Sequence, residues 1–282
     1  MTTREIKQIV SPQSVLEGAG VRLKRSFPTH FLDYPDPFLL FDHFGSDDPA
    51  DYLAGFPMHP HRGIETVTYM LAGQVEHRDS LGNGGMIEAG DMQWMTAGRG
   101  ILHEEMPKPV QGAMEGFQLW VNLPARLKMT RPHYQGVLSS QIPAVETHDG
   151  ALARLIAGGL LEEASGPVAG IAAQPVYMDI ELPAGKTFSI STPPGHTVLV
   201  YLYRGQALSG AKGRALSAPV MIRYEPGDML SVSSASEGTR FLVMMGEPMG
   251  EPIFRYGPFV MNTRAEIEQT LRELQDGTFI QP

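Results

Sequence analysis

The sequence predicts an all-β chain: two barrels of short antiparallel strands, followed by one C-terminal helix. Three observations predict it. Apolar and polar residues alternate over residues 65–71 and 117–123, the period of a half-buried strand. Turn signals recur at Leu71-Ala-Gly73, Gly82-Asn-Gly-Gly85, Glu88-Ala-Gly-Asp91 and Ala97-Gly98 with no helix interleaved, which suits an antiparallel sandwich or barrel. The second half also repeats the first weakly. Thr197–Gly205 resembles Glu65–Gly73, and Glu225-Pro-Gly-Asp-Met229 resembles Glu88-Ala-Gly-Asp-Met92.

In the first copy, Val67, Tyr69 and Leu71 are apolar on one parity, and Thr66 and Thr68 are polar on the other. His59, His61 and Glu65 share the apolar parity, so an unbroken strand turns the histidines inward; a bulge at Gly63 would upset that register. Phe117, Leu119, Val121 and Leu123 repeat the alternation. Pro124–Asp149 loses it after its first residues and is the expected crossing between lobes. Two domains follow, 1–130 and 131–282. In the second copy Ser191 and Pro193 stand opposite His59 and His61, nothing after Asp228 supplies a His-x-Glu, and His196 is alone. That barrel is expected to lack a metal site. Thr263-Arg-Ala-Glu266 is a capping-box pattern. Ile267, Leu271 and Leu274 then form one helical stripe that Gly277 can end, so the helix is expected to pack on a barrel.

Composition narrows the classes. The chain has 282 residues, 42% of them hydrophobic, enough for two ordinary cores. Its net charge is −9 and no basic stretch stands out, so direct nucleic-acid binding is not expected. The absence of cysteine excludes disulfides, thiolate metal sites and a cysteine nucleophile, and fits a reducing compartment. Met1–Gln8 has no apolar signal-peptide region, and no apolar run approaches the roughly 20 residues of a spanning helix. A cytoplasmic protein without membrane contact is the expectation.

The chemistry concentrates in His59-Pro-His61 and His103-Glu-Glu105. Residues i and i+2 of a strand point to one face, so each step presents two donors side by side. Three imidazoles and one carboxylate suit a borderline divalent ion such as Fe, Cu, Ni or Zn. Either pair alone reads as a polar turn or a charged loop; together, inside two barrel motifs, they favour a metal. His30, His43, His77, His133, His148 and His196 lack partners at ligand spacing and read as surface or capping residues. Glu65 reads as a ligand, as an acceptor orienting a histidine from behind, or as a salt-bridge partner, with the second favoured. Glu104 has the opposite parity to Glu105 and reads as solvated. Arg62 and Arg99 read as surface salt-bridge residues, Met86, Met92 and Met95 as core filling, and Gly82–Gly85 as a hairpin turn.

Glycine-punctuated motifs with His-x-His and a later His resemble the cupin superfamily. The likeness is closer to one branch, the pirin family. It is carried by Asp36-Pro-Phe-Leu-Leu-Phe-Asp-His-Phe44, residues 59–69, Gly98-Arg-Gly-Ile-Leu-His-x-Glu105, Gln118–Pro124 and Gly257–Thr263. The resemblance implies two cupin barrels facing each other with one iron in the N-terminal barrel. It also implies quercetin 2,3-dioxygenase activity in some members and regulatory protein partnerships in others. The pirin ligands correspond to His59, His61, His103 and Glu105. In many other cupins the glutamate of the first motif is a ligand, here Glu65. Seven residues rather than six separate it from Gly73, and Thr96 replaces the usual proline. The expected function is therefore a metal-dependent dioxygenase acting on a flavonol-like aromatic. Iron is the first choice of ion, with Ni, Cu, Co or Zn able to use the same donors. Glu105 is the expected base, and Phe56 and Met58 line an apolar mouth. The alternative is an iron-containing, redox-sensitive regulatory protein that binds a protein partner.

Overall fold

A computed structural model describes residues 2–29, 34–109, 112–161 and 164–281; His30 lies outside the described residues. Antiparallel strands dominate, and Arg264–Gln275 is the single α-helix among the described residues. No helix among the described residues is long and apolar enough to cross a membrane.

The chain divides into two compact units, neither of them one continuous stretch. Gln13–Pro28, Phe38–Ser139 and Met249–Pro282 form the first, and Met1–Pro12, Thr29–Pro37 and Ser140–Pro248 the second. A single cut at residue 130 therefore does not describe these units, because each chain end packs with the half remote from it in sequence. At the N-terminus, Ile6–Val10 pairs antiparallel with Val220–Tyr224. Arg4, buried, donates to Thr192 Oγ1 at 2.7 Å, Pro193 O at 2.7 Å and Glu225 O at 3.0 Å. At the C-terminus, Phe259, Met261, Ile267 and Phe279 form one small apolar cluster, and Glu273 of the helix pairs with buried Arg62 at 2.7 Å. The helix begins as expected. Thr263 N donates to Glu266 Oε2 at 2.8 Å while Thr263 Oγ1 accepts from Glu266 N at 3.3 Å. Ile267 is buried and Leu271 packs against the cluster, but Leu274 is exposed. The expected crossing segment is not free of strands. His133–Val137 pairs with Met92–Thr96 in the first unit, and Ala144–Glu146 with Leu152–Ala157 in the second.

The first unit contains two large sheets and the short hairpin of Phe254–Tyr256 with Phe259–Met261. One has four strands in the order Phe56–His61, Ile101–Pro107, Gln74–Asp79 and Gly84–Glu88. The other has seven, with Ile64–Ala72 between Met92–Thr96 and Met114–Asn122, followed by Phe38–Ser46, Val21–Phe27 and Gln13–Glu17. Arg62 and Gly63 carry the chain from the first sheet to the second. Gly63 has φ +78°, and a Cβ there would lie 2.0 Å from the Val260 carbonyl oxygen, so only glycine fits. Lys128, buried, fastens this turn by donating to Gly63 O at 2.8 Å, Asn122 Oδ1 at 2.6 Å and Val260 O at 2.9 Å.

The second unit is built on a nine-stranded sheet whose centre is Val220–Tyr224, Thr197–Ser209, Met229–Gly246 and Val176–Leu182. Its interior is filled by apolar side chains, among them Leu155, Ile180, Phe188, Val200 and Phe241. Ser191 and Pro193, the counterparts of His59 and His61 in the sequence repeat, are exposed.

Candidate metal centre

The four-stranded sheet brings the histidines together. His59 sits directly across from His103 on the antiparallel neighbour, and His61 across from Ile101. Directly paired residues of two strands stand about 4.5–5.5 Å apart, and alternation along Phe56–His61 adds His61 on the same side. One ring nitrogen of each of His59, His61 and His103 lies within 4.8 Å of the others. Nε2 of His59 and Nε2 of His61 are 3.1 Å apart.

The protonation pattern follows from the partners. Nδ1 of His59 lies 2.8 Å from the Pro57 carbonyl oxygen, which can only accept, so Nδ1 carries the hydrogen and Nε2 keeps its lone pair. Burial pushes the His59 imidazole below its ordinary value. Burial, and then the neighbouring imidazoles, push His61 and His103 well below theirs. All three are neutral at pH 7, the form that binds metals. His103 is 1% exposed, yet neither of its ring nitrogens has a hydrogen-bond partner among the described residues. A buried polar atom without a partner costs roughly 1–3 kcal/mol. A metal ion satisfies such an atom, so the donor set fits an ion.

Glu105 shares the His103 strand and is buried. Its Oε1 accepts from Thr68 Oγ1 at 2.6 Å and from Gln93 Nε2, and Gln93 also donates to Thr68 Oγ1 at 3.1 Å. Burial raises its carboxyl to about 7 despite these two bonds. Both bonds fall on Oε1.

A cavity of about 540 Å³ opens beside these residues, with His59, His61 and Glu105 on its wall. Leu23, Leu40, Phe44, Phe56 and Trp120 make much of that wall apolar. Trp120 meets the His61 ring edge-on, with centroids 5.0 Å apart. Another part of the wall, beside His61, comes from the end of the chain. Phe254–Tyr256 and Phe259–Met261 form a hairpin that places Arg255 of its first strand and Gly257 and Pro258 of its turn against the cavity.

Residues 20–121 match the Pirin family, and residues 177–280 match the Pirin C-terminal cupin domain. A pirin-like protein from Caulobacter vibrioides is 43% identical over 280 residues, 99% of this chain and 100% of its own. The chain belongs to the pirin family. A Pseudomonas aeruginosa relative named "Putative quercetin 2,3-dioxygenase" is 43% identical over 278 residues, 97% of each chain. The crystal structure of a quercetin 2,3-dioxygenase from Acinetobacter baumannii matches with a TM-score of 0.90 at 35% identity, covering 99% of both chains. The fold is thus that of a pirin, mostly β, with two cupin-type domains and one C-terminal helix.

Within this pirin the sequence-derived candidates divide. His59, His61 and His103 converge, and Glu105 faces the same cavity. Glu65 is buried elsewhere. It accepts from Thr96 Oγ1 at 2.9 Å, and it has the opposite parity to Thr68 on one regular strand, so it points away from the Glu105 side. The unbroken parity expected through Gly63 fails because the glycine turn resets it. Phe56 lines the cavity, whereas Met58 is exposed and does not.

Other expectations need correction. His77 is fully buried. It stacks on Tyr134 with centroids 4.7 Å apart and lies 5.5 Å from the His103 ring. His77-x-Asp79 repeats the ligand-like spacing, and that was the signal available for it; Asp79 pairs across from His103 and His77 across from Glu105. His43 is also buried and bonds Glu115 Oε1 at 3.0 Å. Arg62 is buried rather than a surface residue. Besides Glu273 it holds Arg99 O at 2.6 Å, and its guanidinium lies 4.5 Å from the Phe279 ring centroid. Met92 and Met95 fill the core, but Met86 is exposed. Thr68, Gln93 and Arg255 had no local signal in the sequence.

Proposed function

We propose that this pirin is a metal-dependent dioxygenase acting on a flavonol-like aromatic, with iron as the working ion. The observation that carries the reading is a cluster of three neutral, converging histidines, two of which, His59 and His61, stand on the wall of a largely apolar cavity. The names of the Pseudomonas relative and the Acinetobacter structure support the substrate class.

His59, His61 and His103 would hold the ion, with Glu105 as fourth donor and as base. When bound, the ion supplies Lewis acidity and a redox centre for reaction with O₂. The chain's own residues do the rest. The Pro57 carbonyl fixes the His59 tautomer. Thr68 and Gln93 anchor Glu105 through Oε1, leaving Oε2 to take the proton of the substrate's 3-hydroxyl. Leu40, Phe44 and Phe56 exclude water around a flat ring system.

The test is anaerobic loading with iron, then with nickel, copper, cobalt and zinc in turn, followed by exposure to air with a panel of flavonols. Loss of the flavonol absorbance band together with O₂ uptake is expected for the iron form. Stoichiometric metal uptake without consumption of any flavonol would overturn the catalytic reading.

A further inference from the structure

The cavity holds two arginines with very different company. Arg25 is fully engaged: it bonds Asp42 through two nitrogens, at 2.9 and 2.7 Å, and Glu17 at 2.6 Å. Arg25, Asp42 and Glu17 all line the cavity; both carboxylates pair with Arg25, and the trio keeps one net negative charge whose nearer member, Asp42, also feels Arg255. Arg255 has no carboxylate within ion-pair distance among the described residues. Its Nε donates to Gly257 O at 3.0 Å across the hairpin turn. Its guanidinium lies 4.9 Å from the centroid of Trp120, the residue that meets His61 on another side. The hydrogen bond and the stacking contact fix where the guanidinium sits, and they leave its two terminal nitrogens for an occupant of the cavity.

A guanidinium is charged at every physiological pH, and its fork matches a carboxylate or a phenolate oxygen. Stacking on an indole supports the cation without consuming its hydrogen-bond donors. A single indole separates Arg255 from His61, which is the scale of an aryl ring.

We infer that Arg255, held against Trp120, is a specificity-determining residue that pairs with an anionic oxygen of the cavity's occupant, so that this pirin selects planar aromatic anions over neutral aromatics of the same shape. The inference rests on reading the cavity as a substrate pocket. It names the second end of that substrate: one end reaches the histidines, and the other carries a carboxylate or an ionised phenol. It also gives the C-terminal hairpin a role, because that hairpin brings Arg255 to the cavity from the far end of the sequence.

The probes are 2-naphthoate and its neutral isostere 2-naphthamide, titrated into metal-loaded protein by calorimetry. Loss of a charge-assisted hydrogen bond is commonly worth about tenfold or more in affinity. Wild type should therefore bind naphthoate about tenfold or more tighter than naphthamide. Arg255→Gln should collapse that ratio towards one, and Arg255→Lys should restore part of it. A ratio near one in wild type would overturn the inference. So would a ratio that persists in Arg255→Gln, since the preference would then come from the metal ion. The readout needs no turnover, so failure of the dioxygenase reading and failure of this inference remain separate results.

Discussion

Thr68 donates a 2.6 Å hydrogen bond to Glu105, and this bond shows which face of the strand Ile64–Ala72 looks into the site. The even-numbered residues face Glu105, so Glu65, three positions earlier, faces the other way. The two glutamates that compete for the metal in the sequence thus lie on opposite faces of that strand, Glu105 against Thr68 and Glu65 against Thr96.

Their variants should separate as well. Glu105→Gln should weaken metal binding and abolish flavonol turnover, since an amide is a poor anionic ligand and no base. Glu65→Gln should leave the metal bound. Any loss of activity should stay within the roughly 10–100-fold typical of outer supporting bonds. Metal titrations of both variants check this, and the reverse order of affinities would contradict it.

His59→Ala, His61→Ala and His103→Ala should each lower metal affinity by more than the roughly 100-fold upper end of outer-partner losses. Circular dichroism should stay that of a folded β-protein, because the second unit and the apolar clusters do not depend on the ion. Full metal occupancy in any of the three purified variants would remove that histidine from the site.

Gly63→Ala tests the turn itself. The new Cβ would meet Val260 O at 2.0 Å from a backbone with φ +78°. The expected loss is about 2–3 kcal/mol of stability by urea unfolding. Metal uptake should weaken with it, because His61 lies two residues away and Lys128 bonds the Gly63 carbonyl. An unchanged midpoint and unchanged metal affinity would show that the turn does not position the histidines.

Phe241→Ala addresses the second unit. Phe241 is fully buried in that unit's core, and its truncation should cost about 3–5 kcal/mol. Metal stoichiometry at temperatures below unfolding should not change. A folded variant that has lost its metal would show that the site depends on the second core.

Much of the site was legible because it is built from local pattern. His59-Pro-His61 and His103-Glu-Glu105 each carry two donors on one strand, and period-2 alternation alone places them on one side. The capping box at Thr263 and the absence of a histidine pair near Ser191 were also readable one segment at a time. Arg255, Gln93 and Thr68 were not, since each joins the cavity through strand pairings between segments far apart in sequence. The burial of His77 depends on Tyr134, which lies in the stretch that alternation could not resolve. Parity through Gly63 misled for a physical reason: a glycine in a left-handed turn reverses the face of everything after it, and the residues themselves do not say whether the strand is broken. The assignment of the two chain ends to their packing units was not readable either, because the pairing of Ile6–Val10 and the docking of the C-terminal helix are long-range events.

The proposed chemistry depends on one metal ion held by His59, His61 and His103. The most direct measurement is anomalous diffraction from crystals of the iron-loaded protein, with elemental analysis of the same preparation. One iron per chain is expected, with a single anomalous peak bonded to a ring nitrogen of each of the three histidines. Two tightly bound ions per chain, or a peak that leaves any of these histidines unligated, would contradict it.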